Sequence, residues 1–504
     1  MRVDVPVSGS HAKAAKLPFE PEAAELEPLY EKHRKIYPKY VKGFYRSLKT
    51  WIGGGLLVFY FVGPWLRWSR DNGSPSQMFL LDMAHERAYI MGVEIWPQEI
   101  YYLAGALILG AFGLFFATTL FGRVWCGITC PQTVFTDLFV AVERLFEGDR
   151  NQRMRRDRGP WSLDKALRKG STLITWVAIS LIIGWTWEIY FNEAFTTTKA
   201  LLEGRIGEGS PVSWGVMGFA LGVGAIFFVL AGFAREQFCI YMCPWPRFQA
   251  AMYDEDSLVV TYETWRGEPR AAAHKDTDFT NRGHCIDCKQ CVQVCPTGID
   301  IRDGSQLACI GCALCVDACD SIMTLMNLPP GLITYDSFSR QEARAKGETG
   351  RYRFFRGRTF AYAGLMALVV GIMAYGLLGR SNTGITVQHE RAPMFVSLAA
   401  GHIRNGYDFK ILRMAEEPTT YVLSIKGLPN ASLRAVFYAE TDQPVVELPV
   451  KADSVGSYRV YVTAAKAVLK GKATDFTFVL TDKSTGLVTE QQAMFAGPDS
   501  TTNP

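Results

Sequence analysis

Five apolar segments of membrane-spanning length, two runs of four closely spaced cysteines and a C-terminal series of short alternating segments together predict the fold class. The chain reads as a polytopic α-helical membrane protein of five spans. A cytoplasmic two-cluster ferredoxin-like insert and a C-terminal periplasmic immunoglobulin-like β-sandwich complete it. A length of 504 residues leaves room for several domains. The expected division is 1–47, a cytoplasmic tail; 48–250, a four-span membrane core; 251–358, the insert; 359–379, the fifth span; and 380–504, the sandwich.

The spans are Leu48–Trp68, Ile100–Phe121, Ser171–Phe191, Ser213–Ala234 and Thr359–Gly379. Each is long enough to cross a hydrocarbon core of about 30 Å. Helices buried in soluble proteins seldom stay apolar on every face for this long. The first span is the least clean, with Lys49 and Arg67 at its ends, where long basic side chains are expected to snorkel. Residues Met1–Leu29 form a polar tail with no apolar stretch, so no secretory signal is expected there.

Orientation follows from the Lys and Arg flanks. Lys32, Arg34, Lys35, Lys39, Lys42 and Arg46 precede the first span, whereas the loop after it carries only Arg70 and Arg87. Arg144, Arg150, Arg153, Arg155, Arg156 and Arg158 follow the second span, and Arg351, Arg353, Arg356 and Arg358 precede the last. The alternation predicts a bacterial inner-membrane protein with the N-terminus and residues 235–358 cytoplasmic and the C-terminus periplasmic.

The formal charge of +4 gives no reason to expect a nucleic-acid partner. The 12 cysteines fall into four groups at metal-ligand spacing rather than scattering as in a secreted disulfide scaffold. One run is Cys285-x2-Cys288-x2-Cys291-x3-Cys295-Pro296, the other Cys309-x2-Cys312-x2-Cys315-x3-Cys319-Asp320. This is the bacterial two-cluster signature, in which the fourth cysteine of each run serves the other cluster. Cys285, Cys288, Cys291 and Cys319 are therefore assigned to one [4Fe–4S] cluster, and Cys295, Cys309, Cys312 and Cys315 to the second. Zinc modules use paired C-x2-C units with wider gaps. Asp320 stands where a proline is usual, which changes local charge but removes no ligand. His284 reads as a loop residue rather than a ligand, and Met323 and Met326 as packing.

Spans two and four look duplicated. One leads through Phe121-Gly122-Arg123 into Cys126-x3-Cys130-Pro131, the other through Phe233-Ala234-Arg235 into Cys239-x3-Cys243-Pro244. Internal repeats often place a shared site at their interface. A helical i, i+4 spacing would set both sulfurs of each pair on one face. Structural cysteines, a disulfide and metal chemistry all remain open here. Thiolate is a soft ligand that suits Cu(I), and a third iron–sulfur cluster is the other metal reading. His389, Met394, His402 and Met414 are scattered and make poor copper-ligand candidates.

From Thr420 onward, TYVLSIKGL, LRAVFYAE, PVVELPV, SYRVYVTA and TDFTFVLTD read as short strands separated by turn residues. With no cysteine and no evident catalytic set, this sandwich is expected to dock rather than catalyse.

Six segments carry a resemblance: GRVWCGITCPQTVF, EQFCIYMCPWPRFQ, RGEPR, CIDCKQCVQVCPTGIDIRDG, CIGCALCVDACD and GHIRNGYDFKI. With them the chain resembles the FixG/RdxA/CcoG family of cytochrome oxidase accessory proteins over nearly its whole length beyond Tyr30. The resemblance implies a role in assembling cbb3-type cytochrome c oxidase by reducing Cu(II) to Cu(I). It also implies copper at Cys126, Cys130, Cys239 and Cys243. Partners would then be the bilayer, copper ions, oxidase assembly factors or a copper-transporting ATPase, and a cytoplasmic electron donor. A different reading is an electron-relay or docking subunit that does not turn over copper.

Overall fold

The computed structural model describes residues 35–70, 74–274, 277–379, 383–390, 393–398, 401–414, 418–451, 454–469 and 471–498. Lys32, Arg34 and most of the N-terminal tail lie outside the described residues.

Four helices there are long and apolar enough to cross a membrane: Tyr101–Phe121, Leu163–Glu188, the helical run Trp214–Met242 and Gly357–Leu378. Only 22% of the most apolar window is buried within the chain in the first three, and none in the last. Surfaces this apolar and this open are solvated by lipid rather than water. The first expected span is corrected on two points. Its helix runs over Phe44–Val62 and gives way to a 3-10 turn at Gly63–Trp65, short of Trp68. It is also not among the helices apolar enough to qualify, since Arg46 and Lys49 lie in its first two turns. Nor does Lys49 snorkel: it turns inward and is buried beside Asp137, 3.7 Å away.

Small residues set the packing between membrane helices. Gly184 lies against the backbone of Ala220 and Gly224, and Gly224 against that of Ser180; a Cβ at 224 would stand 2.7 Å from the Ser180 carbonyl oxygen. Such small-residue pairs let apolar helices approach closely where no hydrophobic driving force acts between them. The last span packs on Tyr101–Phe121, with Met373 filling the space over Gly105 and Tyr102 meeting Gly376.

Between residues 234 and 357 the insert is clasped by an antiparallel pair of strands, Val259–Tyr262 and Ile333–Asp336. Its core gathers Val260, Tyr262, Ile301, Val316, Met323 and Ile333 around Cys285 and Cys291. Asp317, from the insert helix Leu314–Leu325, accepts the N–H groups of Tyr45 (3.2 Å) and Arg46 (2.7 Å). A carboxylate there caps the start of the first helix and favours its dipole, so the insert is tied to the membrane core.

The C-terminal region is two facing antiparallel sheets. One orders Ser432–Ala435, Ser454–Ala465, His402–Arg413 and Thr383–His389, with Val396–Ser397 also paired to the His402–Arg413 strand; the other orders Val446–Val450, Thr419–Lys426, Ala473–Asp482 and Val488–Ala496. Inward residues alternate along the strands, as in Val446, Leu448 and Val450 or Tyr458, Val460 and Val462. The segment LRAVFYAE leaves the ladder after Val436, whose N–H donates to the Arg459 carbonyl at 3.0 Å, because Phe437 takes a left-handed φ of 70°. Sequence reading missed the long central strand His402–Arg413, the Thr383–His389 strand and the closing Val488–Ala496.

Candidate redox site at the membrane face

Each cysteine run folds by the same local device. Asp287 and Lys289 in the first run, and Gly311 and Ala313 in the second, take left-handed φ values of 49°, 53°, 70° and 56°. These paired bends curl each C-x2-C-x2-C loop around a hollow and turn backbone N–H groups toward sulfur, a nest suited to anions. Gly311 N–H lies 3.4 Å from Cys309 Sγ. A short helix then carries the fourth cysteine away from its own loop. One cavity is lined by Cys285, Cys288, Cys291 and Cys319, together with Tyr262, Arg302 and Ile333. A second is lined by Cys295, Cys309, Cys312 and Cys315, with Cys291 at the shared wall. The departure at Asp320 has a structural use: its carboxylate accepts the N–H of Gly331 at 2.7 Å.

Among the described residues, no three His, Cys, Asp or Glu side chains close around a single ion. Burial pushes the thiols of Cys291 and Cys312 up to about 12, and that of Cys315 well above the ordinary thiol range. Without a metal they stay protonated at neutral pH, so metal loading displaces protons.

The two membrane pairs share another geometry, and the expected α-helical i, i+4 spacing is corrected. Both sit in π-type turns whose closing bond spans five residues. Cys130 N–H donates to the Trp125 carbonyl at 2.8 Å, and Cys243 N–H to the Phe238 carbonyl at 2.8 Å. Such widened turns are rare and collect at functional sites. Pro131 ends the first turn and opens the helix Pro131–Glu147, since the first helical position needs no donor. The repeat brings the four thiols near one another, and Cys130, Cys239 and Cys243 all act to raise the Cys126 thiol. Burial, with Cys130 beside it, pushes the Cys126 thiol up to about 12. Its Sγ donates to Gln249 Oε1 at 3.1 Å, and the fully buried Gln249 is fixed by Thr118 at 3.2 Å.

The turn at Cys126 rests on the second cluster loop. Cys126 and Cys239 pack with Ile310, Cys312, Leu314 and Cys315. Arg123, at the head of the turn, donates to the carbonyl oxygens of Cys309 (2.6 Å), Leu307 and Pro246 (2.8 Å). A cavity of about 70 Å³, room for several waters, lies between Cys239, Lys49, Asp137, Ile310 and Leu314. Sequence reasoning missed Gln249, Arg123 and Lys49. Arg123 and Gln249 stand inside the motifs themselves, but nothing in spacing shows which neighbours have a partner.

The other candidates do not gather. His284 accepts from Arg266 Nε at 3.0 Å, and Met323 and Met326 are buried packing residues. His389 faces Asn405 Oδ1 at 2.5 Å.

Residues 234–338 match the 4Fe-4S dicluster domain family, 103–147 a 4Fe-4S binding domain, and 373–498 the IG-like fold at the C-terminus of FixG. Paired cysteine cavities joined to long apolar helices define the class: a membrane iron–sulfur redox protein. The chain is 42% identical to nitrogen fixation protein FixG of Rhizobium meliloti over 94% of each sequence. It is 43% identical to Protein RdxA of Cereibacter sphaeroides over 87% of this chain and 91% of that one. A solved FixG-related protein from Vibrio parahaemolyticus is 24% identical over 23% of this chain and 97% of its own, at a TM-score of 0.20. The chain belongs to the FixG family.

Proposed function

We propose that the chain carries electrons from a cytoplasmic donor through its insert to Cu(II) at the four membrane cysteines, releasing Cu(I) in support of cbb3-type oxidase assembly. When bound, the two [4Fe–4S] clusters supply one-electron carriers, and each copper takes up one electron. Cys285, Cys288, Cys291 and Cys319 hold one cluster, and Cys295, Cys309, Cys312 and Cys315 the other. Cys126, Cys130, Cys239 and Cys243 offer soft sulfur, which favours Cu(I) over Cu(II) and so makes reduction easier. These thiols are half-buried, and Gln249 orients Cys126. In this reading the insert is cytoplasmic and the sandwich periplasmic, placed to meet assembly factors or a copper-transporting ATPase.

The observation that carries the reading is the seat of the Cys126 turn on the Cys309–Cys315 loop. With no solvent layer between them, electron transfer needs no moving part. The test is Cys126→Ser combined with Cys239→Ser, assayed for Cu(II) reduction by the purified, iron-loaded protein. Reduction should be lost while iron content and cluster EPR signals stay. Copper bound and reduced as in the parent would leave the chain as a relay or docking subunit.

A second reading is favoured by the 4Fe-4S binding match over 103–147, which includes Cys126 and Cys130. The four membrane cysteines would then hold a third cluster. Iron analysis separates the two: about eight irons per chain for copper chemistry at this site, about twelve for a third cluster.

A further inference from the structure

The surroundings of the two cluster cavities differ in charge. Beside Cys285 stands Arg302, and its guanidinium is matched twice, by Asp300 and Asp287 at 2.5 Å each. Asp320 adds negative charge at Cys319, Glu268 lies 3.1 Å from Tyr262 Oη, and Lys289 is exposed to solvent. Two buried cations stand instead against the loop that bounds the second cavity, Arg123 at the Cys309 carbonyl and Lys49 beside Ile310 and Leu314. Arg123, 5% exposed, donates to three carbonyl oxygens, lies beside the Tyr253 ring and forms no ion pair among the described residues. Lys49, 4% exposed, has Asp137 at 3.7 Å, beyond hydrogen-bond reach, and Asp137 is held more closely by Arg46 at 2.9 Å. Asp317, two residues past Cys315, spends its carboxylate on the N–H groups of Tyr45 and Arg46. The repeat offers an internal comparison: Arg235, the counterpart of Arg123, is neutralised by Glu143 at 3.0 Å. The bare charge on Arg123 is therefore not a property of the motif.

We propose that Lys49 and Arg123 stabilise an added electron at the Cys295, Cys309, Cys312 and Cys315 site, making it the higher-potential member of the pair and setting a one-way path toward the membrane. The inference rests on the cluster assignment above but not on copper. Charges act more strongly across a buried, low-dielectric gap than at a surface, so Arg123, which meets no carboxylate among the described residues, and Lys49, which shares Asp137 with Arg46, outweigh distant acids. The way in is marked as well, because Cys288 alone of the twelve cysteines is exposed, and it belongs to the first site. The internal step is balanced: the first cluster loses one electron, the second gains it, and no proton moves.

EPR-monitored redox titration of the iron-loaded protein, without copper, reads both midpoint potentials. Lys49→Met should lower the higher potential by a shift equivalent to about tenfold in the electron's partition, about 59 mV for one electron. It should leave the lower potential unmoved, and Lys49→Arg should restore the parent value. Asp137→Asn, which removes the counter-charge but keeps the lysine, should move the same potential upward and covers the case in which Lys49→Met does not fold. Asp287→Asn, at the surface of the first site, should raise only the lower potential and so assign it. Lys49 and Asp137 variants that move the lower potential, both together or neither overturn the proposal. Such a result leaves copper reduction untouched, and failure of the cysteine double variant leaves this ordering untouched.

Discussion

Gly127 lies directly on the backbone of Cys312: a Cβ at position 127 would stand 2.8 Å from both the Cα and the nitrogen of that cysteine. The carbonyl carbon of Gly311 would be 2.9 Å away. Only backbone faces the missing side chain, and backbone does not give way. The membrane-side turn and the cluster loop therefore touch backbone to backbone.

Gly127→Ala should force these surfaces apart, at a cost of about 1–3 kcal/mol by overpacking. Iron content should hold near the parent value while reoxidation of the reduced clusters by Cu(II) slows. Stopped-flow bleaching of the cluster absorbance measures it. Gly54→Ala, with nothing within 4 Å of its Cβ, is the control that should change neither.

The crossed ligand assignment predicts that the two clusters can be lost separately. Cys285→Ser should remove one and Cys309→Ser the other, each taking iron from about eight to about four per chain. Iron analysis of anaerobically purified protein, with EPR after reduction, checks this. Zinc in place of iron would reject the assignment.

Alkaline pH should destabilise the metal-free chain. Burial raises the thiols of Cys291 and Cys312 from 9.0 to about 12, so between those values the folded chain keeps protons that the unfolded chain has released. Their contribution is fully present below pH 9 and is lost as pH rises toward 12. Thermal melting of the iron-free protein across that range should show the decline. The iron-loaded protein, whose ligands are already deprotonated, should not show it.

Glu143 joins two buried arginines, Arg153 at 2.6 Å and Arg235 at 3.0 Å. Glu143→Gln leaves both cations without their charge partner and should cost about 3–5 kcal/mol. A fall in detergent-solubilised melting temperature reads it, and a parent-like melt would show that the arginines find other partners.

An N-in, C-out topology predicts that a periplasm-active reporter fused after Pro504 is active and one fused near Gly347 is silent. The first helix is the weak point of that topology, because it is not among the four long enough and apolar enough to cross a membrane. The reverse pattern would overturn the orientation proposed for the insert.

The amino-acid sequence alone determined what depends on local pattern. Apolar length marked the helices at 101–121 and 357–378 to within two residues, and alternation marked several sandwich strands. Cysteine spacing grouped the eight insert cysteines into two sets because a tight C-x2-C-x2-C loop presents three sulfurs to one hollow whatever surrounds it. The duplicated motif placed four more cysteines at matching chain positions. Tertiary structure decided whatever depends on which distant group a side chain meets. Lys49 and Arg123 are ordinary basic residues in the sequence, one at the end of a span and one beside a motif. Only folding turns Lys49 inward toward Asp137 and gives Arg123 carbonyl oxygens but no carboxylate, while its repeat counterpart Arg235 meets Glu143. The seat of Gly127 on Cys312 is of the same kind. It joins positions far apart in the chain, and no local period carries the information that two backbones will touch there.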